Sequence, residues 1–151
     1  MQNRPGGPQF RGGEPPRRDY VSSPAYLKDG YFDERGNPRP QILTSDADQV
    51  AEDFFRRGLT YSQVRKPFNK AKSIEYLLDS KRRFEDEVWR ITTLKRDVAD
   101  AAGRNIGLDV LKTFIDRNVP LAVESEAHFR KGFLQHFQSV MAYFRYRHPR
   151  E

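Results

Sequence analysis

Leu59-Thr60-Tyr61-Ser62-Gln63-Val64 opens the segment whose reading decides the fold. Thr60 is placed to accept from the backbone N–H of Gln63, and the Gln63 side chain to reach back to the N–H of Thr60, the reciprocal arrangement of a capping box. Leu59 and Val64 flank it as a hydrophobic staple. After this start, Val64, Phe68, Ala71, Ile74 and Leu78 recur at helical intervals, which predicts a helix with one apolar face running to about Asp79. Pro67 lies inside the pattern. It deletes a hydrogen bond to the carbonyl of Gln63, at about 3 kcal/mol in a regular helix interior, and predicts a kink or a break there.

The same periodicity extends to both sides. Toward the C-terminus, Phe84, Val88, Ile91, Leu94, Val98, Ala101 and Ala102 predict a helix from about Arg83 to Ala102, stopped by Gly103. A shorter helix carries Leu108, Leu111, Phe114 and Ile115 and ends at Asn118, with Pro120 beyond it. A last helix from about Ser125 to Tyr146 bears Phe129, Phe133, Phe137, Val140, Met141 and Phe144. Toward the N-terminus, Thr44-Ser45-Asp46 supply capping side chains before Ala47, Val50, Ala51, Phe54 and Phe55, and Gly58 supplies the stop. No stretch alternates with period two, so strands are not expected. The fold class is all-α: a compact bundle of about five helices over residues 44–151.

Residues 1–43 differ in kind. They hold seven of the ten prolines and six of the ten glycines, and their aromatics (Phe10, Tyr20, Tyr26, Tyr31, Phe32) are too few to close a core. The segment is expected to be a flexible, low-complexity, Pro/Gly/Arg-rich tail. Its single Arg11-Gly12-Gly13 triplet is weak evidence for RNA, because such triplets act by repetition. The aromatic stretch from Tyr20 to Glu34 has the composition of a segment that docks on a partner.

Composition excludes several classes. The chain has no cysteine, so disulfides and thiolate metal sites are absent. It has no apolar run near the ~20 residues of a membrane span and no apolar core in its first residues for a secretory signal. A soluble, cytoplasmic protein is expected. The net charge of +6 favours polyanionic partners through phosphate neutralisation, without deciding the matter.

Catalysis finds no support. No Gly-rich phosphate loop, zinc helix or nucleophile elbow occurs. His128 and His136 lie about 12 Å apart along one helix, too far to share a zinc by themselves, and His148 sits at the C-terminal end. The paired carboxylates, such as Asp97 with Asp100, are interleaved with arginines at salt-bridging spacing. No catalytic residue, metal site or cofactor is expected.

The best binding candidate is the polar face of the helix that begins at Thr60. At about 100° per residue, Lys72, Arg65, Asn69, Lys66 and Lys70 fall within an arc of about 160°, opposite the apolar residues. Such a face can line a phosphate track, although any amphipathic helix also turns its charges outward. Lys95, Arg96 and Arg104 form a second basic group; the helix dipole alone predicts a cation near a helix C-terminus, so a residue placed like Arg104 is more often a cap than a ligand contact. Lys81-Arg82-Arg83 and Arg145, Arg147 and Arg150 sit beside element ends. The phenylalanines of the last helix have core spacing, whereas Tyr143 and Tyr146 are freer for an exposed contact.

Three patches resemble the small-subunit family of type III-A CRISPR effectors, the Csm small subunits. Leu59-Thr60-Tyr61-Ser62-Gln63-Val64-Arg65-Lys66 is similar to that family's LTxSQ(I/V)RK segment. Leu94-Lys95-Arg96-Asp97-Val98-Ala99-Asp100-Ala101-Ala102-Gly103-Arg104 is similar to its LKxxLAYxAGR segment, and the stretch from Phe133 to Tyr146 to its FxxYxEALVAYHRFY segment. Order and spacing agree over more than half the chain. The departures are Pro67 for an apolar helix residue, Asp100 for a tyrosine and Phe144 for a histidine.

The resemblance implies a non-catalytic antiviral-defence subunit. It implies several copies packed side by side along a guide RNA–target RNA channel, touching mainly the target strand, the backbone subunits, the large subunit and one another. Arg65, Lys66, Lys95 and Arg104 fall on the matched patches; with Lys70 and Lys72 they are the expected RNA-binding residues. The competing expectation is a helical protein–protein adaptor whose basic surface meets RNA only incidentally.

Overall fold

The computed structural model describes residues 18–148. After a 3₁₀ turn at Tyr20–Ser22 and a single turn of helix, α1 (Pro40–Leu43), five longer helices follow: α2 (Ser45–Arg56), α3 (Tyr61–Asp79), α4 (Phe84–Arg104), α5 (Asp109–Ala122) and α6 (Leu134–Arg147). A π-helical segment, His128–Phe133, leads directly into α6. Among the described residues there is no strand, only an isolated bridge between Phe32 and Pro38. The all-α bundle is as the periodicity predicts.

The capping box at Thr60 forms in both directions: Gln63 N–H donates to Thr60 Oγ1 at 3.1 Å, and Thr60 N–H to Gln63 Oε1 at 2.9 Å. Helix α3 then continues through Pro67 without a break. Only one backbone bond is lost, and the pyrrolidine ring is buried, which contributes in the opposite direction. Two predicted stops also fail. Helix α4 runs past Gly103 to Arg104, and α5 runs past Asn118 and Pro120 to Ala122. Gly103 does not adopt the left-handed conformation that terminates helices, whereas Gly58, at φ +75°, does.

Helix α6 packs on α2 and α3, while α4 packs on α5 and α3. The phenylalanine stripe of the last helix is core: Phe129, Phe133, Phe137 and Phe144 are fully buried. Edge-to-face pairs tie the helices together, with Phe114 and Phe137 at 5.0 Å and Phe54 and Phe114 at 5.6 Å between ring centroids. Phe55, expected on the buried face of α2, is instead 43% exposed, because it lies to one side of the stripe through Val50, Ala51 and Phe54.

The largest departure concerns residues 20–43, which composition assigned to a tail. Val21, Tyr26, Tyr31 and Ile42 are buried completely or nearly so, and the segment straps over the bundle. It has no core of its own, as its composition implies, but it completes the core of the helices. Arg117 on α5 fixes its backbone by donating to the carbonyls of Val21 (2.8 Å), Ser23 (3.1 Å) and Tyr26 (2.6 Å). Buried Asp53 accepts the N–H of Val21 at 2.9 Å; desolvation pushes its carboxyl up from the ordinary aspartate range.

A buried polar chain anchors the strap. The carbonyl of Ile42 can only accept, so His136 Nδ1 carries the proton and donates to it across 2.6 Å. His136 Nε2 therefore accepts from the Tyr26 hydroxyl at 2.7 Å, which leaves the Tyr26 oxygen free to accept from Asn118 Nδ2 at 2.9 Å. Asn118 Oδ1 completes the series by accepting from Tyr31 at 2.7 Å. Gly132 lies under the Tyr31 ring so closely that a Cβ there would sit 2.3 Å from Tyr31 Cδ2. The aromatic strap rests on a bare patch of backbone. Residues 1–17, including the Arg11-Gly12-Gly13 triplet, lie outside the described residues, as does Arg150.

Candidate nucleic-acid interface

Helices α3 and α4 lie side by side, and residues early in one line the same hollows as residues late in the other. They run antiparallel, with a seam between them. One half of the seam is a groove of about 510 Å³, with Pro67, Leu94, Val98 and Leu111 among its apolar walls. Lys66, Lys70 and Arg104 reach this groove, together with Asp97 and Asp100. Lys70 stands at the middle of the seam, donating to Thr93 Oγ1 at 2.7 Å and pairing with Asp97. Arg96 reaches the other oxygen of Asp97 at 3.2 Å. The hydrogen bond from Lys70 is the main reason that the Asp97 carboxyl is held below the ordinary aspartate range. One carboxylate thus serves two cations.

The six residues expected at an RNA surface do not form one cluster. Lys66, Lys70 and Arg104 meet in the seam. Arg65 and Lys72 lie on the other flank of α3, about 140–160° around the helix from Lys70. There Lys72 shares a shallow hollow with Arg145, whose guanidinium sits over the Tyr61 ring at 3.9 Å. Lys95 projects from the far side of α4, about 160° from Asp97. The tertiary structure therefore divides the predicted face into three parts.

Several of these cations also have acidic partners. Lys72 pairs with Glu75 at 2.8 Å, a carboxylate just beyond the acid-free arc of α3, and on α4 Arg104 pairs with Asp100 at 2.5 Å. Among the described residues, Arg65, Lys66 and Lys95 have no ion pair. The flanking runs are largely paired: Arg82 with Glu87 (3.6 Å), Arg83 with Glu85 (3.3 Å), and Arg147 with Asp48 (2.8 Å). Tyr146 is 83% exposed, while Tyr143 is half-buried.

A family model described as Csm2 Type III-A matches residues 37–150. The chain belongs to this family. Csm2 proteins are the small structural subunits of the type III-A Csm complex, and the seam cations lie within the matched segment. No curated protein and no solved structure matches the chain. In this Csm2 family chain, no group of three or more His, Asp or Glu among the described residues could hold a metal ion. His136 is fully buried within the strap network, and burial lowers its pKa to about 4. His128 is held by Ser125 and lies 3.3 Å from Glu124. No described helix is long and apolar enough to cross a membrane.

Sequence reasoning passed over Trp89. It is 58% exposed, on α4 beside the seam. A signal was present: this residue is the only tryptophan of the chain and falls off the apolar stripe that runs through Phe84, Val88 and Ile91.

Proposed function

We propose that this Csm2 family chain is a non-catalytic scaffold in a type III-A RNA-guided effector. Several copies pack along the guide RNA–target RNA channel, against the backbone subunits, the large subunit and one another. The seam cations meet phosphates, mainly of the target strand, without reading sequence, which is left to base pairing. The observation that carries this reading is the convergence of Lys66, Lys70 and Arg104 on one groove. The ion pairs of Lys70 and Arg104 do not oppose it. Exposed pairs are worth about 0–1 kcal/mol, so an incoming phosphate can replace the carboxylate.

The test is a salt titration of single-stranded RNA binding. Replacing Lys66, Lys70 and Arg104 with Ala should lower affinity and reduce the log–log salt slope by about 2, at roughly 0.7 per phosphate contact. Lys95→Ala, on the far face, should have little effect. An unchanged slope in a folded triple variant would remove the seam from the interface. The adaptor reading draws on a different observation, that Lys70, Lys72 and Arg104 already have acidic partners. It predicts feeble, non-saturating RNA binding in the same titration.

A further inference from the structure

The second half of the α3–α4 seam is a hollow of about 140 Å³ lined by Lys70, Ser73, Leu77, Trp89, Arg90 and Arg96 among others. Its lining holds three cations, two hydroxyls from Ser73 and Thr93, and no carboxylate. The indole of Trp89 stands at this hollow and is 58% exposed.

The indole is also held in place. The Arg90 guanidinium lies over its ring, 4.5 Å from the centroid. Arg90 is tied in turn to Glu87 at 2.7 Å, and Glu87 is only 3% exposed. A chain from a buried carboxylate through a guanidinium thus orients the ring before any ligand arrives, which reduces the ordering cost of binding. The core of an interface with another protein is depleted of lysine and of charge in general. Here the indole is bordered by Ile74 and Leu77 and by three cations, each paired with a carboxylate outside the hollow, and the charge it presents within the hollow complements a polyanion.

We propose that Trp89 is a stacking platform for one unpaired RNA base, whose flanking phosphates are met by Arg90, Arg96 and Lys70. This rests on the reading of the seam as an RNA surface and adds to it a contact with a base rather than the backbone. Every base has a π-face, so such a contact keeps the sequence tolerance that the scaffold role demands. From Trp89 to Arg104 the seam extends about 22 Å along α4, so one strand can meet the platform and the groove cations together.

Trp89 is the only tryptophan of the chain, which makes its fluorescence a direct reporter. The full chain is titrated with a short single-stranded oligoadenylate and, in parallel, with inorganic polyphosphate of similar charge. The proposal expects both to bind with salt-sensitive affinity but only the oligoadenylate to quench the indole. Trp89→Ala should weaken oligoadenylate binding about tenfold and leave polyphosphate binding unchanged, with Trp89→Phe in between. Since the residue is exposed, these variants should fold. Oligoadenylate that binds without quenching, or with equal affinity to Trp89→Ala, overturns the platform while leaving the phosphate reading intact. Absence of any binding by oligoadenylate and polyphosphate alike overturns both. A Trp89→Ala variant that binds RNA normally but no longer co-purifies with the other Csm subunits assigns the indole to a protein contact instead, and overturns the proposal.

Discussion

Acidification should loosen the strap through His136, and the size of the effect can be worked out. The imidazole is fully buried, and burial lowers its pKa from 6.5 to about 4. Below pH 6.5 the unfolded chain takes up a proton that the folded chain refuses, so stability falls as the pH falls. The contribution is complete above about pH 6.5 and is lost as the pH drops through about 4. Linkage puts the loss between pH 7 and pH 5 at about 2 kcal/mol. The structural cause is specific. A protonated Nε2 would aim a second donor at the Tyr26 hydroxyl, whose oxygen already accepts from Asn118. Urea unfolding followed by circular dichroism at both pH values measures the change. The reference is His136→Gln, which cannot titrate. Asp53, whose raised pKa acts in the opposite direction, is common to both proteins and cancels in the comparison. The variant should be less stable at neutral pH and show a flatter profile. Equal slopes would refute the claim that a neutral His136 holds the strap.

Two further outcomes follow from contacts around the strap and the seam. Gly132→Ala would push a Cβ into the Tyr31 ring and should cost about 1–3 kcal/mol by denaturant unfolding, most of it recovered in a Tyr31→Ala background; an additive double variant would disprove the contact. Asp97→Asn removes the carboxylate shared by Lys70 and Arg96 and should raise RNA affinity severalfold with a steeper salt dependence, measured by filter binding. Unchanged binding would mean that neither cation meets a phosphate.

The sequence by itself determined the helices, because capping and apolar periodicity are local. The Thr60–Gln63 box and the stripe from Phe129 to Phe144 could be read from neighbours three and four residues apart, and both stand in the structure. Stop signals were less dependable, since Gly103, Pro67 and Pro120 each cost a helix little enough for tertiary packing to override them. Only the tertiary structure decided the fate of residues 20–43. Tyr26 and Tyr31 find their partners, His136 and Asn118, 110 and 87 residues away, and no local pattern carries that distance. The same holds for the seam. One helix shows which cations share its own face, but the docking of α4 against α3 brought Arg104 to Lys66, gave Lys70 an acid, and turned Lys95 away. Charge along a helix is set by sequence. Charge across a groove is set by packing.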